Sequence, residues 1–240
     1  MKLFEILGVD TEIFGFPVAK ILPDKLTPEE LEQIISSLKR ENVRLAFWAS
    51  DPNDEESQRA ARLHHGFLAD KKLTFMMDLS QSPERSEVMD WDIEEYADER
   101  PCADLENLAI EIGRNSRFGA DPRIPEDKLI DMYMLWIRNS VNRQVADAVL
   151  VVRESGKIVG MSTVLEKNGH GCIGLFAVDE ALRGRNVGVS LARAAQEWAR
   201  RKGLRFAQVV TQETNAAACR LYKKCGYRIE KVEYFYHFWI

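Results

Sequence analysis

No stretch of this chain approaches the roughly 20 apolar residues needed to cross a bilayer. Its opening segment, MKLFEILGVDTEIF, lacks the long apolar core and small-residue cleavage site of a secretory signal. The expectation is a cytoplasmic protein with no membrane partner. Cysteine is scarce: Cys102, Cys172, Cys219 and Cys225 are scattered without a Cys-x-x-Cys spacing, so neither a disulfide framework nor a zinc site is indicated. His64, His65, His170 and His237 form no metal-cluster pattern either, and no metal is expected. Nor is there an excess of positive charge, the net charge being −5. That argues against a nucleic-acid partner held by phosphate neutralisation, yet leaves room for a small anion in a local positive pocket.

What the chain does have is an ordinary globular composition, 45% hydrophobic and 30% charged over 240 residues, enough for one large or two modest domains. The stretch that organises it begins at Ile173. Ile173-Gly174-Leu175-Phe176-Ala177-Val178 reads as a buried strand. Arg183-Gly184-Arg185-Asn186-Val187-Gly188 then turns the chain into a helix that continues through Val189, Ser190 and Leu191. Such a turn leaves main-chain N–H groups unpaired at the positive end of the helix dipole, a cradle for phosphate. Gly184 and Gly188 let backbone approach a ligand, and Asn186 tolerates positive φ. The spacing matches neither the Walker loop nor the three-glycine dinucleotide fingerprint.

Arg183 to Gly188 resembles the Arg/Gln-x-x-Gly-x-Gly/Ala pyrophosphate loop of the GNAT acetyltransferases, with Asn186 in place of the first glycine. Within the next fifty residues, Asn215-Ala216-Ala217-Ala218-Cys219-Arg220-Leu221-Tyr222-Lys223-Lys224-Cys225-Gly226-Tyr227 resembles the second GNAT signature. One helix and one strand (Leu204 to Thr211) separate the two. The resemblance implies a mixed α/β (α+β) sheet that opens between its fourth and fifth strands, and acetyl-coenzyme A as co-substrate. It implies that the cradle from Arg183 to Ser190 holds the pyrophosphate, with Asn215 near the pantetheine. A strand bulge would free the N–H groups of Phe176, Ala177 and Val178 for the oxyanion, and Tyr222 would protonate the departing thiolate.

Alternatives stand beside several of these assignments. Arg183 and Arg185 read as phosphate contacts or as solvated charge; Ser190 as a phosphate donor or a plain helix residue. Asn215 is also a natural helix cap, a role compatible with the first.

The first half reads as a smaller α/β unit, 1–80, joined by a polar linker, 81–90, to the acetyltransferase domain, 91–240. Strands are expected at Phe16–Leu22, Val43–Ala49 and Phe67–Leu79, with helices after Thr27 and Asp54. LKRENVRLAFWAS parallels ARRKGLRFAQVVT, so the unit resembles a degenerate half of the same fold. Where the second half carries its cradle, the first has Pro23-Asp24-Lys25-Leu26, without glycine, so it is not expected to bind the coenzyme.

In 91–240 we expect a strand at Trp91–Tyr96, helices at Ala103–Ile112 and Leu129–Val141, an irregular loop at Asn115–Pro125 and a hairpin around Glu154-Ser155-Gly156. The terminal run Tyr234 to Ile240 is aromatic enough to seed a homodimer contact or to pack as a strand inside the sheet, and we expect the strand.

Asp10 to Pro17 together with Ser116-Arg117-Phe118 resembles the branch of the GNAT family that acetylates dTDP-linked amino-deoxysugars. For such an acceptor Arg117 and Arg123 would meet phosphates and Phe118 a base. Surface charge and core packing are the competing readings. The alternative functions are acetylation of another small amine or peptide terminus, and a coenzyme-binding module without chemistry. Asp70, Asp121 and Asp179 are carboxylates in suitable regions, and the general base stays unassigned.

Overall fold

A computed structural model describes residues 2–81 and 90–240. In chain order the elements are β1 (Phe4–Ile6), α1 (Gly8–Phe14), β2 (Val18–Ile21), α2 (Pro28–Arg40), β3 (Leu45–Ser50), α3 (Glu55–Leu63) and β4 (Phe67–Asp78). After residues 82–89 come β5 (Glu94–Glu95), α4 (Ala103–Arg114), α5 (Arg117–Ala120), α6 (Glu126–Val141), β6 (Ala148–Glu154), β7 (Lys157–Lys167) and β8 (His170–Val178). The chain closes with α7 (Val187–Arg201), β9 (Phe206–Gln212), α8 (Ala216–Lys224) and β10 (Arg228–Trp239).

Among the described residues, ten strands join one sheet in the order β1-β2-β3-β10-β4-β9-β8-β7-β6-β5. Within each half two parallel strands lead into a long antiparallel one: β2 and β3 into β4, β8 and β9 into β10. The long strands then change places. β4 pairs with β9 of the second half, and β10 pairs with β3 of the first. The aromatic run at the C-terminus is therefore inside the sheet, between β3 and β4. Most of the expected linker 81–90 lies outside the described residues; what they do show is that the two halves interleave.

Three apolar clusters cover the sheet. α2 and α3 pack on one face of the first half around Trp48, Leu31 and Phe238. α7 and α8 cover the same face of the second half around Leu191, Trp198 and Phe75. The opposite face carries α1, α4, α5 and α6 in a cluster that crosses both halves, from Val18 and Phe47 to Met161 and Leu175.

Local sequence explains the elements. α2 starts at a full capping box, Thr27 Oγ1 accepting the Glu30 amide at 3.2 Å and Glu30 Oε2 accepting the Thr27 amide at 2.8 Å, with Pro28 at the first helical position. The β6–β7 hairpin turns on Ser155 (φ 51°) and Gly156 (φ 84°), both left-handed as a tight two-residue turn requires.

Two expectations need correction, and two short elements are added. The strand expected at Trp91–Tyr96 is reduced to Glu94–Glu95, paired with Val151 and Leu150 of β6, and Tyr96 adds one further amide bond to Val149 O at 2.8 Å. The loop at Asn115–Pro125 contains the single-turn helix α5, capped by Ser116 Oγ accepting the Phe118 amide at 3.1 Å. β1 and α1 were not foreseen, since both are too short to display a period.

Candidate active site

The cradle is built as the glycine and asparagine spacing requires. Beyond β8, Asp179 caps a single 3-10 turn by accepting the Ala181 amide at 3.0 Å. Gly184 (φ 81°) and Asn186 (φ 61°) then take left-handed conformations that bring the chain into α7. The first intrahelical bond runs from the Ser190 amide to Asn186 O at 3.0 Å. The amides of Val187, Gly188 and Val189 therefore have no acceptor within the helix.

Asn186 supplies no cap of its own, because its side chain is engaged elsewhere. Its Nδ2 donates to Asp90 Oδ2 at 2.9 Å and its Oδ1 accepts from Lys224 Nζ at 3.2 Å. Trp91 Nε1 donates to Arg185 O at 2.8 Å and braces the turn from outside. The corresponding helix start in the first half is closed, Thr27 occupying the amide that α7 leaves open.

Val187 and Ser190 are buried on the inner face of α7. Arg183 and Arg185 are exposed and meet carboxylates: Arg183 Nη2 pairs with Glu111 and Arg185 Nη1 with Glu154 at 3.6 Å. Exposed pairs of this kind contribute about 0–1 kcal/mol, so a phosphate can replace either carboxylate at little cost.

β8 and β9 are parallel and pair only from His170 with Phe206 to Ile173 with Val209, after which they separate. This is the expected opening between the fourth and fifth strands of the second half. The bulge lies lower than expected. It falls at Gly174–Leu175 opposite Thr163, whose Oγ1 accepts the Leu175 amide at 2.7 Å, and Phe176, Ala177 and Val178 pair in register with β7. Exposure of their amides comes from strand alternation instead. The amides of Leu175 and Asp179 point to β7, so those of Phe176 and Val178 face the opening and that of Ala177 does not.

Tyr222 stands on α8, whose N-cap Asn215 accepts the Ala218 amide at 3.1 Å. Its ring packs edge-on against Phe176, centroids 5.9 Å apart, which ties it to the lip of the opening. Burial pushes the phenol far above its ordinary range, so it stays protonated. Among the described residues its hydroxyl has no hydrogen-bond partner. A protonated, uncommitted hydroxyl is what an acid needs.

The third group gathers on the opposite face. Lys72 is the first β4 residue paired with β9, opposite Gln212, so Asp70 lies just past the end of β9, at the wide end of the opening. Burial raises its carboxyl to about 6, against the pull of Arg117 and Lys72. Asp70 pairs across the sheet with Phe235, and Arg117 lies over the Phe235 ring at 4.7 Å. Asp10 of α1, also raised by burial, feels the same guanidinium.

Phe118 is buried among core rings, so it backs Arg117 rather than offering a surface. Arg123 is held by Asp121, Nε to Oδ1 at 2.9 Å. Asp121 is buried, saturated by donors from Arg123, His237 and Trp239, and lowered to about 2, which removes it as a base. Asp179 is paired with Lys157 at 2.7 Å. Of the three carboxylates open at the outset only Asp70 is placed and tuned to accept a proton; sequence carried no sign of this, because burial alone distinguishes it. The described cavities lie elsewhere, the larger of about 750 Å³ between Tyr96, Arg100 and Arg143 at the far edge of the sheet.

Residues 86–227 match the model of the acetyltransferase (GNAT) family. The chain belongs to that family. Acetyltransferases of this family use acetyl-CoA. Two curated relatives are similar over part of their length. The spore coat polysaccharide biosynthesis protein SpsD of Bacillus subtilis is 27% identical over 132 residues, 55% of this chain and 45% of the relative. The dTDP-fucosamine acetyltransferase of Escherichia coli is 33% identical over 140 residues, 58% of this chain and 59% of the relative. The chain thus spans about half the length of the curated relatives it matches. Among solved structures, a GCN5-related N-acetyltransferase from Sphaerobacter thermophilus aligns over 98% of this chain and 75% of its own, with TM-score 0.62 and 16% identity. That likeness speaks to fold alone. No helix among the described residues is long and apolar enough to cross a membrane.

Proposed function

We propose that this GNAT enzyme moves the acetyl group of acetyl-CoA directly to the amine of a nucleotide-linked amino-deoxysugar, with dTDP as the nucleotide, in the cytoplasm. The observation that carries the reading is Arg117: a half-buried cation set among three aromatic rings, with no carboxylate within ion-pair distance among the described residues, beside a carboxyl titrating near 6. Such a cation suits a phosphate, and such a carboxyl suits an amine. The similar Escherichia coli protein is a dTDP-fucosamine acetyltransferase, which supports the same class of acceptor.

In this reading the open amides of Val187, Gly188 and Val189, with Gly184, Asn186, Arg183 and Arg185 around them, hold the coenzyme's pyrophosphate. The fit rests on the left-handed turn and on amides without helical acceptors. Holding amine and thioester face to face contributes roughly 7–11 kcal/mol toward the barrier. The Phe176 and Val178 amides stabilise the developing oxyanion. Asp70 accepts the amine's proton through intervening water, and Tyr222 donates its own to the sulfur as the C–S bond breaks.

A thiol-release assay with acetyl-CoA against a panel of amines tests the reading. Release with dTDP-linked amino sugars at low acceptor concentration supports it. Release only with other small amines or peptide termini favours the second reading, in which Asp10 and Asp70 recognise a bare ammonium; that outcome ends the nucleotide-sugar assignment.

A further inference from the structure

His237 and Asp121 lie behind Arg117, and no step of the proposed chemistry uses them. We infer that His237, fixed by Asp121, is a positioning residue that presents the Arg117 guanidinium to the anionic part of the acceptor; this rests on the nucleotide-sugar reading of the site.

His237 is fully buried in β10, at 0% exposure, and Asp121 beside it at 1%. One ring nitrogen, Nδ1, lies 3.0 Å from Asp121 Oδ2. The other, Nε2, lies 2.9 Å from Arg117 Nη1. A guanidinium can only donate, so Nε2 must be the bare acceptor and Nδ1 must carry the hydrogen given to Asp121. Only one tautomer of the neutral ring satisfies both contacts, and the imidazolium satisfies neither Arg117 nor the local charge balance. The groups that face the ring are Arg117 on α5, and Asp121 and Arg123 on the loop after it, with Asp10 and Asp70 beyond Arg117. Phe47, Phe67 and Phe118 close the remaining sides.

The consequence is a cation anchored by a neutral partner. Phe118, Phe47 and Phe235 surround the guanidinium at 4.0, 4.2 and 4.7 Å, fixing its plane without cancelling its charge. A carboxylate in the place of His237 would have neutralised Arg117 and repelled a phosphate. Asp121 does not reach Arg117; its charge is absorbed by Arg123 and Trp239, whose Nε1 donates at 3.0 Å. The imidazole conveys alignment from Asp121 to Arg117 and keeps the two charges apart.

Two measurements test this. Nitrogen NMR of the wild-type protein is expected to show His237 neutral at pH 7, protonated at Nδ1 and bare at Nε2; a ring protonated at Nε2 overturns the inference. His237→Phe keeps a flat aromatic ring, somewhat larger than imidazole, and removes the acceptor. It is expected to raise the KM for a dTDP-linked amino sugar by about tenfold or more, the weight of one charge-assisted hydrogen bond, with kcat nearly unchanged. Acetyl-CoA affinity by calorimetry is expected to hold, and His237→Gln, which retains an acceptor, to recover most of the loss. Acceptor KM unchanged in His237→Phe, or a fall in coenzyme affinity of the same size, overturns it. The NMR arm needs no acceptor. A wild-type enzyme inert toward amino sugars therefore ends the substrate reading, while the tautomer still decides what His237 does to Arg117.

Discussion

At the scale of single residues, the proposed mechanism divides the work between two protons, and their proposed carriers differ in legibility. Tyr222 was visible from its spacing between Asn215 and Gly226, and the structure adds that burial keeps it protonated. Replacing it by Phe retains the ring contacts with Phe75, Phe176 and Tyr227. The chemical rate should then fall by about 10²–10⁴-fold with coenzyme affinity nearly constant, read by single-turnover thiol release and calorimetry; unaltered turnover removes Tyr222 from the mechanism. In the proposed mechanism Asp70 has the opposite task, and its raised carboxyl sets a direction with pH. The group is inactive as a base when protonated, so kcat/KM should rise through about pH 6 and level above it. Asp70→Asn should abolish that limb along with most of the rate. The same shift costs stability where the native group still holds a proton that the unfolded chain has released. Unfolding free energy contributed by Asp70 is thus full below its ordinary value of 3.8 and is lost as pH rises toward 6. His237 acts with the opposite sign, lowered from 6.5 to about 3, so its contribution fades as pH falls through that window.

At the scale of elements, the strand–turn–helix unit was legible because glycine and asparagine announce left-handed backbone, and the position of the bulge was not. Gly174 shows why. A Cβ there would come within 2.6 Å of Thr163 Oγ1, the hydroxyl that accepts the Leu175 amide. The sequence shows a glycine in a strand; only the cross-strand neighbour reveals that it makes room for a hydroxyl that replaces a lost ladder bond. Gly174→Ala should therefore displace Thr163 and cost about 1–3 kcal/mol in urea unfolding, since overpacking is not absorbed by a tightly packed strand. It should also weaken acetyl-CoA binding, because the same bulge sets where β8 parts from β9. Thr163→Ala with Gly174→Ala, relieving the clash, should recover stability more than affinity. The cradle offers a cleaner contrast. Arg185→Ala removes a cation and leaves the backbone intact, so calorimetry should report weaker acetyl-CoA binding with an unchanged melting temperature; equal affinity assigns Arg185 to Glu154 alone.

At the scale of the molecule, the helices and strands of both halves could be read from periodicity and caps, yet their assembly could not. Strand pairing between Lys72 and Gln212, or Tyr234 and Ser50, joins residues more than a hundred positions apart, and nothing local encodes which long strand lies beside which. The palindromic order β2-β3-β10-β4-β9-β8 has an energetic consequence. Leu73, Phe75 and Met77 of β4 complete the core under α7 and α8, while Tyr236 and Phe238 of β10 complete the core under α2 and α3. Each half lends the other its central strand. A fragment 90–240 would leave β9 with a bare edge and β10 with no neighbour on either side, exposing unpaired backbone and the apolar face that β4 covers. It should fail to fold alone and aggregate, whereas mixing it with fragment 1–81 during refolding should restore the circular-dichroism spectrum and thiol release together. The intact chain should accordingly unfold in urea as one transition, with circular dichroism and tryptophan fluorescence superimposed. A soluble 90–240 fragment with its own cooperative transition, or two separated transitions in the whole chain, would mean that the exchanged strands do not bind the halves into a single folding unit.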